Sequence, residues 1–511
     1  MTLVLLAALA AIGPAGARGD EPILPPAAPS DMDACVRQLE ELRREVGETA
    51  ALRRQVEDLQ AKVGRLEGAA STGDAEDAAV AEVEMPREMV AGVPPVLPRN
   101  SLLGSYNYNF GGGYMSLKTR DGNFSFNVQN QMTADGTFYN LQDAATIEKG
   151  FNIPFYRLYF YGNLLKNWEY QMSLQQSLGS FNVLDMFVGY KFSDALNVRV
   201  GHFLTPFLYE YYAFSPAWET VITNSPLFQL AGKRQTGAML WGRPFDNAVQ
   251  YQVGAFNGAD GAYFDIDRYV DCIASLAWTP FKPYGDPTFE GLGCGINVQN
   301  GVQRYNLASG TQYNFPFGNG EPTLNQNFVN STGIQFFRYQ DTVWSNGNRM
   351  KVAPQVFWFG RFSVLAEYVH WDRALTSGGT NIAETIDAYY VNTSYFLTGE
   401  RYKSDGLLGY TTIDPLNKRL GAWELAFQVS QMQLGQSSLT PGFATPGLNA
   451  TRLDQVMGGV NWWANRYVRV SLDYMADWTN RPVVVGVPDI NGHSQMASSY
   501  GTWWGRVAAF F

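Results

Sequence analysis

Residues 157–176, RLYFYGNLLKNWEYQMSLQQ, alternate between apolar and polar side chains on both sides of a short break. The more apolar face consists of Leu158, Phe160, Leu164, Trp168, Tyr170, Met172 and Leu174. The opposite face consists of Arg157, Tyr159, Tyr161, Asn163, Glu169, Gln171, Ser173 and Gln175. A period of two is typical of strands whose two faces lie in different environments. The stretch therefore predicts two strands joined by a short turn at 164–166.

The same period recurs from residue 122 to the end of the chain, in runs of about ten residues, which is long enough for a strand to cross a membrane. The pattern predicts sixteen strands, at 122–133, 154–163, 167–177, 182–192, 195–203, 235–242, 248–257, 268–280, 288–300, 348–359, 361–372, 384–396, 420–432, 452–463, 466–477 and 499–511. A further short run, GGGYMSLKT at 111–119, is interpreted as a lead-in segment outside the wall. Sixteen is an even number, as a barrel with both ends on one side of a membrane requires.

The connections between these strands alternate in length. Short connections are expected at 164–166, 193–194, 243–247, Gly360 and 464–465. Long connections are expected at 134–153, 204–235, 301–347, 373–383, 433–451 and 478–497. Short turns on one side, long loops on the other and strands that end in Trp and Tyr are typical of an outer-membrane barrel. The expected fold is therefore an all-β transmembrane barrel of about sixteen antiparallel strands, although the segment 397–419 is longer than a short-side turn needs.

The chain ends with GTWWGRVAAFF, residues 501–511, and has no polar tail. In a soluble sandwich this would be a further core strand. In a barrel it would pair with the strand at 122–133, with Trp503, Val507 and Phe511 facing lipid and Arg506 facing the lumen. The terminal phenylalanine, Phe511, also resembles the signal by which outer-membrane proteins are recognised for insertion.

The first 99 residues differ in composition from the rest, because all 13 Trp, 28 Tyr and 32 Phe lie after them. Residues 1–17 combine a short apolar run with a small-residue cleavage pattern and are interpreted as a signal peptide. Residues 18–31 form a Pro-rich spacer, and residues 32–67 repeat apolar side chains at heptad spacing, which predicts an oligomerising coiled coil. A single surface helix is the alternative for that segment. Residues 68–121 are expected to be a linker and lead-in to a barrel at 122–511.

Several classes of function are disfavoured by composition. After residue 99 the chain has 30 acidic and 27 basic residues, so a nucleic-acid partner is not expected. The three histidines, His202, His370 and His493, are scattered, which offers neither a metal site nor a catalytic base. No enzyme activity and no cofactor are therefore expected. Cys272 and Cys294 flank the turn PFKPYGDP symmetrically, which leaves a disulfide and two small apolar side chains as open alternatives.

An ordered set of motifs gives the barrel a family resemblance. RVGHFLTPFLYE (199–210) is followed by YQVGAFNG, SYFLTGERY and GAWELA, with LLKNWEYQMSL and VGYK before it. Together they resemble the phosphate-selective porin O and P family of outer-membrane porins. The resemblance covers about residues 120–511 and implies a trimer of sixteen-stranded barrels. It also implies that a long loop, here about 204–235, folds into the lumen and narrows it.

The candidate pore-lining charges come from the inward parity and from this loop. They are Arg157, Glu169, Asp185, Lys191, Arg199, Glu210, Lys233, Arg234, Arg361, Glu367, Arg469, Asp473 and Arg506. Both signs are present, whereas rings of Arg and Lys are what attract anions in a pore. Cross-strand ion pairs are the expected role of most of these groups, and phosphate selectivity is not inferred.

The expected function is an outer-membrane porin for passive diffusion of small hydrophilic solutes or ions, with anions among the candidates. Its expected partners are outer-membrane lipid, two further copies in a homotrimer and the diffusing solutes, and the coiled coil would lie in the periplasm. The alternative is a structural role, in which the coiled coil and linker tether the envelope and the barrel is only an anchor.

Overall fold

The computed structural model describes residues 115–510 apart from 120, 140–149, 178–179, 214–219, 259–264, 266, 286–287, 309–326, 403–419, 445–448, 466 and 486–494. All described residues belong to one compact unit, Val90–Phe511. The predicted signal peptide, spacer and coiled coil lie outside the described residues, as do Phe511, His493 and most of the linker. Among the described residues, no helix is both long and apolar enough to cross a membrane.

Nineteen strands and one short α-helix account for the regular structure of the described residues. The strands are β1 Met115–Lys118, β2 Ser125–Tyr139, β3 Gly150–Leu164, β4 Trp168–Ser177, β5 Ser180–Lys191, β6 Asn197–Leu204, β7 Arg234–Gly242, β8 Val249–Phe256, β9 Asp271–Trp278, β10 Leu292–Asn306, β11 Asn327–Val329, β12 Gln335–Arg338, β13 Trp344–Trp358, β14 Phe362–Ser377, β15 Thr380–Phe396, β16 Ala422–Leu434, β17 Arg452–Asn465, β18 Val468–Val485 and β19 Gln495–Phe510. The helix α1 is Tyr209–Ala213, and 3-10 turns lie at Pro226–Leu230, Lys282–Tyr284 and Gln436–Leu439.

Sixteen of these strands form a closed antiparallel wall, so the predicted fold is confirmed. Each wall strand pairs with its neighbours in chain order, with β10 next to β13. The wall closes where β19 pairs with β2, which places Arg506 opposite Asp135 and Trp503 opposite Phe138. Trp503 is exposed on the outer face and Arg506 is buried inside. Closure gives the last strand a partner on both edges, so no strand edge of the wall remains unpaired there.

The short strand β1 corrects one expectation. The segment was expected outside the wall, but β1 pairs with β2 in the register Met115 to Val128. On the same edge of β2, β19 stops with Phe510 opposite Gln131. The start of β2 therefore extends beyond the end of β19, and β1 satisfies the backbone groups that would otherwise remain unpaired there.

The alternation of side chains places two environments on the two faces of each strand. In β14 the side chains of Ser363, Leu365 and Glu367 point inward and are buried, whereas Phe362 and Tyr368 point outward and are exposed. Outward aromatic residues cluster near the short turns, where Trp168 lies 5.0 Å from Tyr190 between ring centroids. Such an outer face is typical of a barrel that crosses a membrane.

The prediction of a long loop at 373–383 is wrong. Strand β14 continues to Ser377 and β15 begins at Thr380, with Gly378 and Gly379 forming a two-residue turn between them. Both glycines have positive φ, 55° and 83°, as the turn of a tight hairpin requires. The hairpin is therefore longer than its hydrophobic alternation indicates, because the outward side chains at His370 and Asp372 are polar.

The disulfide alternative for the two cysteines is also wrong, because Cys272 and Cys294 are free and exposed. The register pairs Cys294 with Trp278 and Cys272 with Asn300. The two cysteines therefore lie six positions apart along the hairpin, about 20 Å at strand rise. A disulfide requires Cα atoms within about 7 Å of one another.

Candidate functional site

The connection between β6 and β7 is residues 205–233, and we call it the constriction loop. Its described residues, 205–213 and 220–233, enter the lumen. Its helix α1 lies against β14, where the Glu367 carboxylate accepts hydrogen bonds from the backbone N–H groups of Tyr209, at 2.7 Å, and Glu210, at 2.8 Å. The hydroxyl of Tyr390 on β15 donates to the same carboxylate at 2.7 Å. Glu367 therefore attaches the first part of the constriction loop to the wall by hydrogen bonds.

The middle of the constriction loop reaches the last strands of the wall. The N–H of Ile222 donates to Asp473 on β18 at 2.7 Å, and its carbonyl accepts from Arg506 on β19 at 2.5 Å. The Asn461 amide on β17 donates to the carbonyl of Thr220 at 2.6 Å. A segment that leaves the wall at β6 and contacts β14, β17, β18 and β19 must narrow the bore.

The two ends of the constriction loop are held by further hydrogen bonds. The carboxyl group of Glu210 accepts from the N–H of Ser225, at 2.7 Å, and from its hydroxyl, at 2.6 Å. On the return path, the Lys351 ammonium on β13 donates to the carbonyl of Leu230 at 3.0 Å. The fixed shape of the loop thus comes from its own side chains as well as from the wall.

A second insert, the hairpin β11–β12, was missed by the sequence analysis, which treated 301–347 as an ordinary loop. The side-chain amide of Gln229 donates to the carbonyl of Val329 at 2.5 Å and accepts from its N–H at 2.7 Å. Asn330 also donates to Asp477 on β18 at 3.0 Å. The hairpin therefore joins the constriction loop to the wall. The turn NSTG, flanked by the buried Phe328 and Phe336, is the local signal that could have indicated it.

Ion pairs between buried side chains line the wall. They join Arg199 to Glu169 at 3.2 Å, Arg234 to Asp185 at 3.0 Å, Arg373 to Glu384 at 2.6 Å, Arg506 to Asp135 at 2.6 Å, and Arg349 to Asp271. The sequence analysis named one partner or both in three of these pairs and missed the pairs formed by Arg373 and Arg349. Alternation indicates which side chains face inward, but the partner depends on strand register.

The remaining candidates lie in different places. Arg157 on β3 donates a hydrogen bond to Gln175 on the neighbouring strand β4. The Nζ atom of Lys233 lies 5.9 Å from the ring centroid of Phe228. The guanidinium of Arg469 lies 5.1 Å from the Trp463 ring centroid.

Two candidates lie away from the constriction loop, at the short-turn end of the barrel. Lys191 pairs with Asp194 at 3.5 Å beside the turn after β5. Arg361 is exposed and donates to the carbonyls of Phe396, at 2.9 Å, and Leu397, at 3.2 Å. Arg361 therefore holds a turn at the short-turn end of the barrel, whereas the sequence analysis named it among the candidate pore-lining charges.

A cavity of about 440 Å³, part of it open to solvent, lies between the constriction loop and the short-turn end of the barrel. Its lining includes Glu210, Thr220, Phe359, Tyr390, Asn392 and Tyr402. Tyr402 is held there because its N–H donates to Gly360 at 3.0 Å and its hydroxyl donates to Glu424 at 2.5 Å. The first residues of the long segment 397–419 thus have a structural role, which is to close this side of the cavity.

Two ionisable groups of the constriction loop are shifted by burial. Removal from water raises the pKa of Glu210 to about 8, because the charged form of a carboxyl loses hydration. The donors at Ser225 oppose that shift and the nearby Glu367 adds to it. Burial likewise raises the pKa of Tyr209 well above its ordinary value. Among the described residues, no group of three or more His, Cys, Asp or Glu side chains could hold a metal ion.

The closed sixteen-stranded wall, the apolar outer face and the loop that narrows the lumen define an outer-membrane diffusion channel. The chain belongs to the phosphate-selective porin O and P family, whose model matches residues 126–482. Porin O of Pseudomonas aeruginosa is 25% identical over 401 residues, which span 72% of this chain and 86% of that protein.

Solved structures of low sequence identity also resemble the chain. OmpT of Vibrio cholerae, folded in vitro, is 10% identical with a TM-score of 0.46 and covers 78% of this chain and 99% of its own. The anion-selective porin from Comamonas acidovorans is 10% identical with a TM-score of 0.43, and the match covers 76% of this chain and 100% of that porin. The channel DcaP of Acinetobacter baumannii is 9% identical with a TM-score of 0.44, and the match covers 77% of this chain and 99% of that channel.

Family membership establishes the general function. The protein is a porin of the bacterial outer membrane that forms a channel for small solutes. The family and the fold are those of channels rather than of enzymes, and they favour the channel over the structural anchor.

Proposed function

We propose that this porin is a weakly selective pore for passive diffusion of small hydrophilic solutes and ions. The observation that carries the proposal is the balance of charge inside the barrel. The buried side chains of the described residues include eleven Asp or Glu and ten Lys or Arg. Five of the basic residues are paired with carboxylates, as described above. A strongly anion-selective pore would instead present an excess of cationic side chains to the solute.

Reversal potentials in asymmetric KCl test this proposal directly. A pore that passes only one monovalent ion has a reversal potential of about 59 mV for each tenfold concentration gradient. We expect the protein to give only a small fraction of that value, because paired charges largely cancel each other's field at the distance of the solute. A reversal potential close to the ideal anion value would contradict the proposal and would support selectivity for anions such as phosphate.

We also propose a homotrimer that the N-terminal coiled coil stabilises from the periplasm. The heptad spacing in residues 32–67 supports self-association, since so narrow an apolar stripe is marginal in an isolated helix. The start of the barrel supports the location, because Phe124 bridges to Leu164 beside a short turn, and short turns face the periplasm. The outward aromatic residues support contact with outer-membrane lipid.

Deleting residues 31–67 tests this assembly. We expect the variant to keep the barrel's conductance and to dissociate from trimer to monomer at a lower detergent concentration or temperature. Unchanged trimer stability would contradict a role for the coiled coil in assembly. Loss of envelope attachment in cells, with trimer stability intact, would instead support the tethering role.

A further inference from the structure

An arginine lies within the row of outward aromatic side chains at the short-turn end of the barrel. Phe362 and Tyr395 lie opposite each other on β14 and β15, and Trp423 lies opposite Trp462 on β16 and β17. All four side chains are exposed on the outer face. The guanidinium carbon of Arg361 lies 4.9 Å from the Tyr395 ring centroid. Because outward aromatic rows mark the depth of the lipid headgroups, this cation lies at headgroup level.

Arg361 is held in one orientation and keeps donors for an external acceptor. Its Nε donates to the carbonyl of Phe396 at 2.9 Å, and its Nη2 donates to the carbonyl of Leu397 at 3.2 Å. Among the described residues, no carboxylate forms an ion pair with it. A guanidinium has more N–H groups than these two bonds use, so an exposed cationic edge remains available.

The exposed charge next to Arg361 is also positive. The N–H of Tyr402 donates to the carbonyl of Gly360 at 3.0 Å, which places the backbone of Arg401 beside that of Arg361. Arg401 is exposed, whereas the neighbouring acid Glu400 is only 4% exposed. This corner of the outer face therefore presents two cations and little negative charge to the membrane interface.

The combination of cations, rings and apolar side chains matches one chemical class of partner. A fixed guanidinium fits the two free oxygens of a phosphate diester, which it can bind through parallel N–H groups. Leu397 and Leu420 are 50% and 64% exposed beside the aromatic row. A phospholipid presents a phosphate to the cation and acyl chains to the apolar side chains at the same depth. A headgroup without its own ammonium complements two cations best.

We propose that Arg361, Tyr395 and Arg401 form a binding site for an anionic phospholipid of the leaflet that faces the periplasm. The proposal rests on the lipid contact of the outer face proposed above, and it names the chemical class of one lipid. Arg361 would bind the phosphate and Arg401 would add long-range attraction. The site lies outside the lumen, so it is separate from the diffusion path.

Native mass spectrometry of the full-length protein in detergent tests the proposal. Phosphatidylglycerol, phosphatidylethanolamine and phosphatidylcholine with identical acyl chains are titrated separately onto the delipidated, folded protein. We expect one phosphatidylglycerol per protein chain to bind about tenfold more tightly than either zwitterionic lipid, as one charge-assisted contact provides. Equal binding of all three lipids would overturn the proposal.

Two variants test the named side chains. Arg361→Gln removes the charge, and Tyr395→Leu keeps an apolar side chain but removes the ring under the guanidinium. We expect Arg361→Gln to lose the preference for phosphatidylglycerol and Tyr395→Leu to weaken it. The matched control is Lys166→Gln, because Lys166 is an exposed cation on another short turn, and it should keep the wild-type preference. Electrophoretic mobility of the unheated protein shows that each variant is folded.

The remaining outcomes identify what binds instead. Unchanged preference in both folded variants would show that the lipid binds elsewhere, which overturns this assignment. Displacement of phosphatidylglycerol by an equal concentration of inorganic phosphate would assign the cations to free phosphate and would also overturn it. Insertion of the protein into phosphatidylcholine vesicles separates this proposal from general lipid contact. Failure to insert would contradict lipid contact itself, whereas insertion without any preference for phosphatidylglycerol would contradict only the specific site.

Discussion

At the scale of single residues, Glu367 is the contact that holds the first part of the constriction loop to the wall. Its two carboxylate oxygens accept from Tyr209, Glu210 and Tyr390. Glutamine at this position would turn one acceptor into a donor that faces a backbone N–H. An unsatisfied buried group costs about 1–3 kcal/mol, which favours release of the helix Tyr209–Ala213 from β14.

We therefore predict that Glu367→Gln raises single-channel conductance and lowers the thermal stability of the loop. Glu169→Gln is the matched control, because Glu169 is equally buried but binds Arg199 on the wall. The control should lower barrel stability without raising conductance. The same conductance in Glu367→Gln and wild type would show that the loop has other sufficient attachments.

The ionisation of Glu210 predicts a pH dependence of selectivity. Its pKa is raised to about 8, so its carboxyl is mainly protonated at pH 6 and mainly ionised at pH 9.5. The groups that face it are Glu367 on β14, Gln428 on β16, and Ser225 on its own loop. Ionisation adds one negative charge at the constriction.

The ratio of cation to anion permeability should therefore rise as the pH increases through about 8. Reversal potentials in asymmetric KCl at pH 6 and pH 9.5 measure this change. Glu210→Gln should show a smaller change, because the titrating group is absent. An equal rise in the variant would assign the pH dependence to other groups of the lumen.

At the scale of structural elements, the hairpin β11–β12 narrows the space beside the constriction loop. Its Val329 is hydrogen-bonded to Gln229 of that loop, and Ser331 donates to Gln455 on β17 at 2.7 Å. We predict that replacing Asn327–Arg338 with a flexible Gly-Ser linker of equal length increases conductance. The wall strands should still form, because none of their ladder partners is lost.

Electrophoretic mobility of the unheated, folded barrel serves as the control for that replacement. A folded variant with wild-type conductance would show that the hairpin lies beside the diffusion path rather than in it. A smaller conductance would indicate that the linker itself fills the lumen.

The last strand predicts an effect on assembly. Strand β19 closes the wall by pairing with β2, and Phe511 is the residue that follows it. We predict that Phe511→Asp, or a charged tail appended after Phe511, reduces the amount of barrel inserted in the outer membrane. The conductance of the channels that do assemble should be unchanged. Normal insertion of both variants would contradict the role of Phe511 as an assembly signal.

At the scale of the whole molecule, the strands of the wall could be predicted from the sequence. The paths of the segments inside the barrel, the constriction loop and the hairpin β11–β12, could not be predicted from local patterns. Alternation is a local signal, and it placed all sixteen wall strands, with errors mainly at the ends that extend past the apolar band. At Gly378 the signal failed because the outward side chains near it, such as Asp372 and Thr376, are polar, whereas the inward face includes the buried Trp371 and Leu375, which is the reverse of the pattern in the rest of the wall.

The interior depends on contacts between residues far apart in the chain. Glu367 binds the N–H of Tyr209, 158 positions away, and Arg506 binds the carbonyl of Ile222, 284 positions away. No local pattern contains such pairs. The path of the constriction loop was therefore available only from a family resemblance, and the hairpin β11–β12, which the resemblance did not include, was missed.

The central claim is that the protein is a diffusion pore of weak charge selectivity, and single-channel recording tests it most directly. Pure, folded protein in a planar bilayer with asymmetric KCl should give discrete conducting steps whose reversal potential is a small fraction of about 59 mV per tenfold gradient. Discrete steps with a reversal potential near that limit would contradict weak selectivity, and a complete absence of steps would contradict the pore itself.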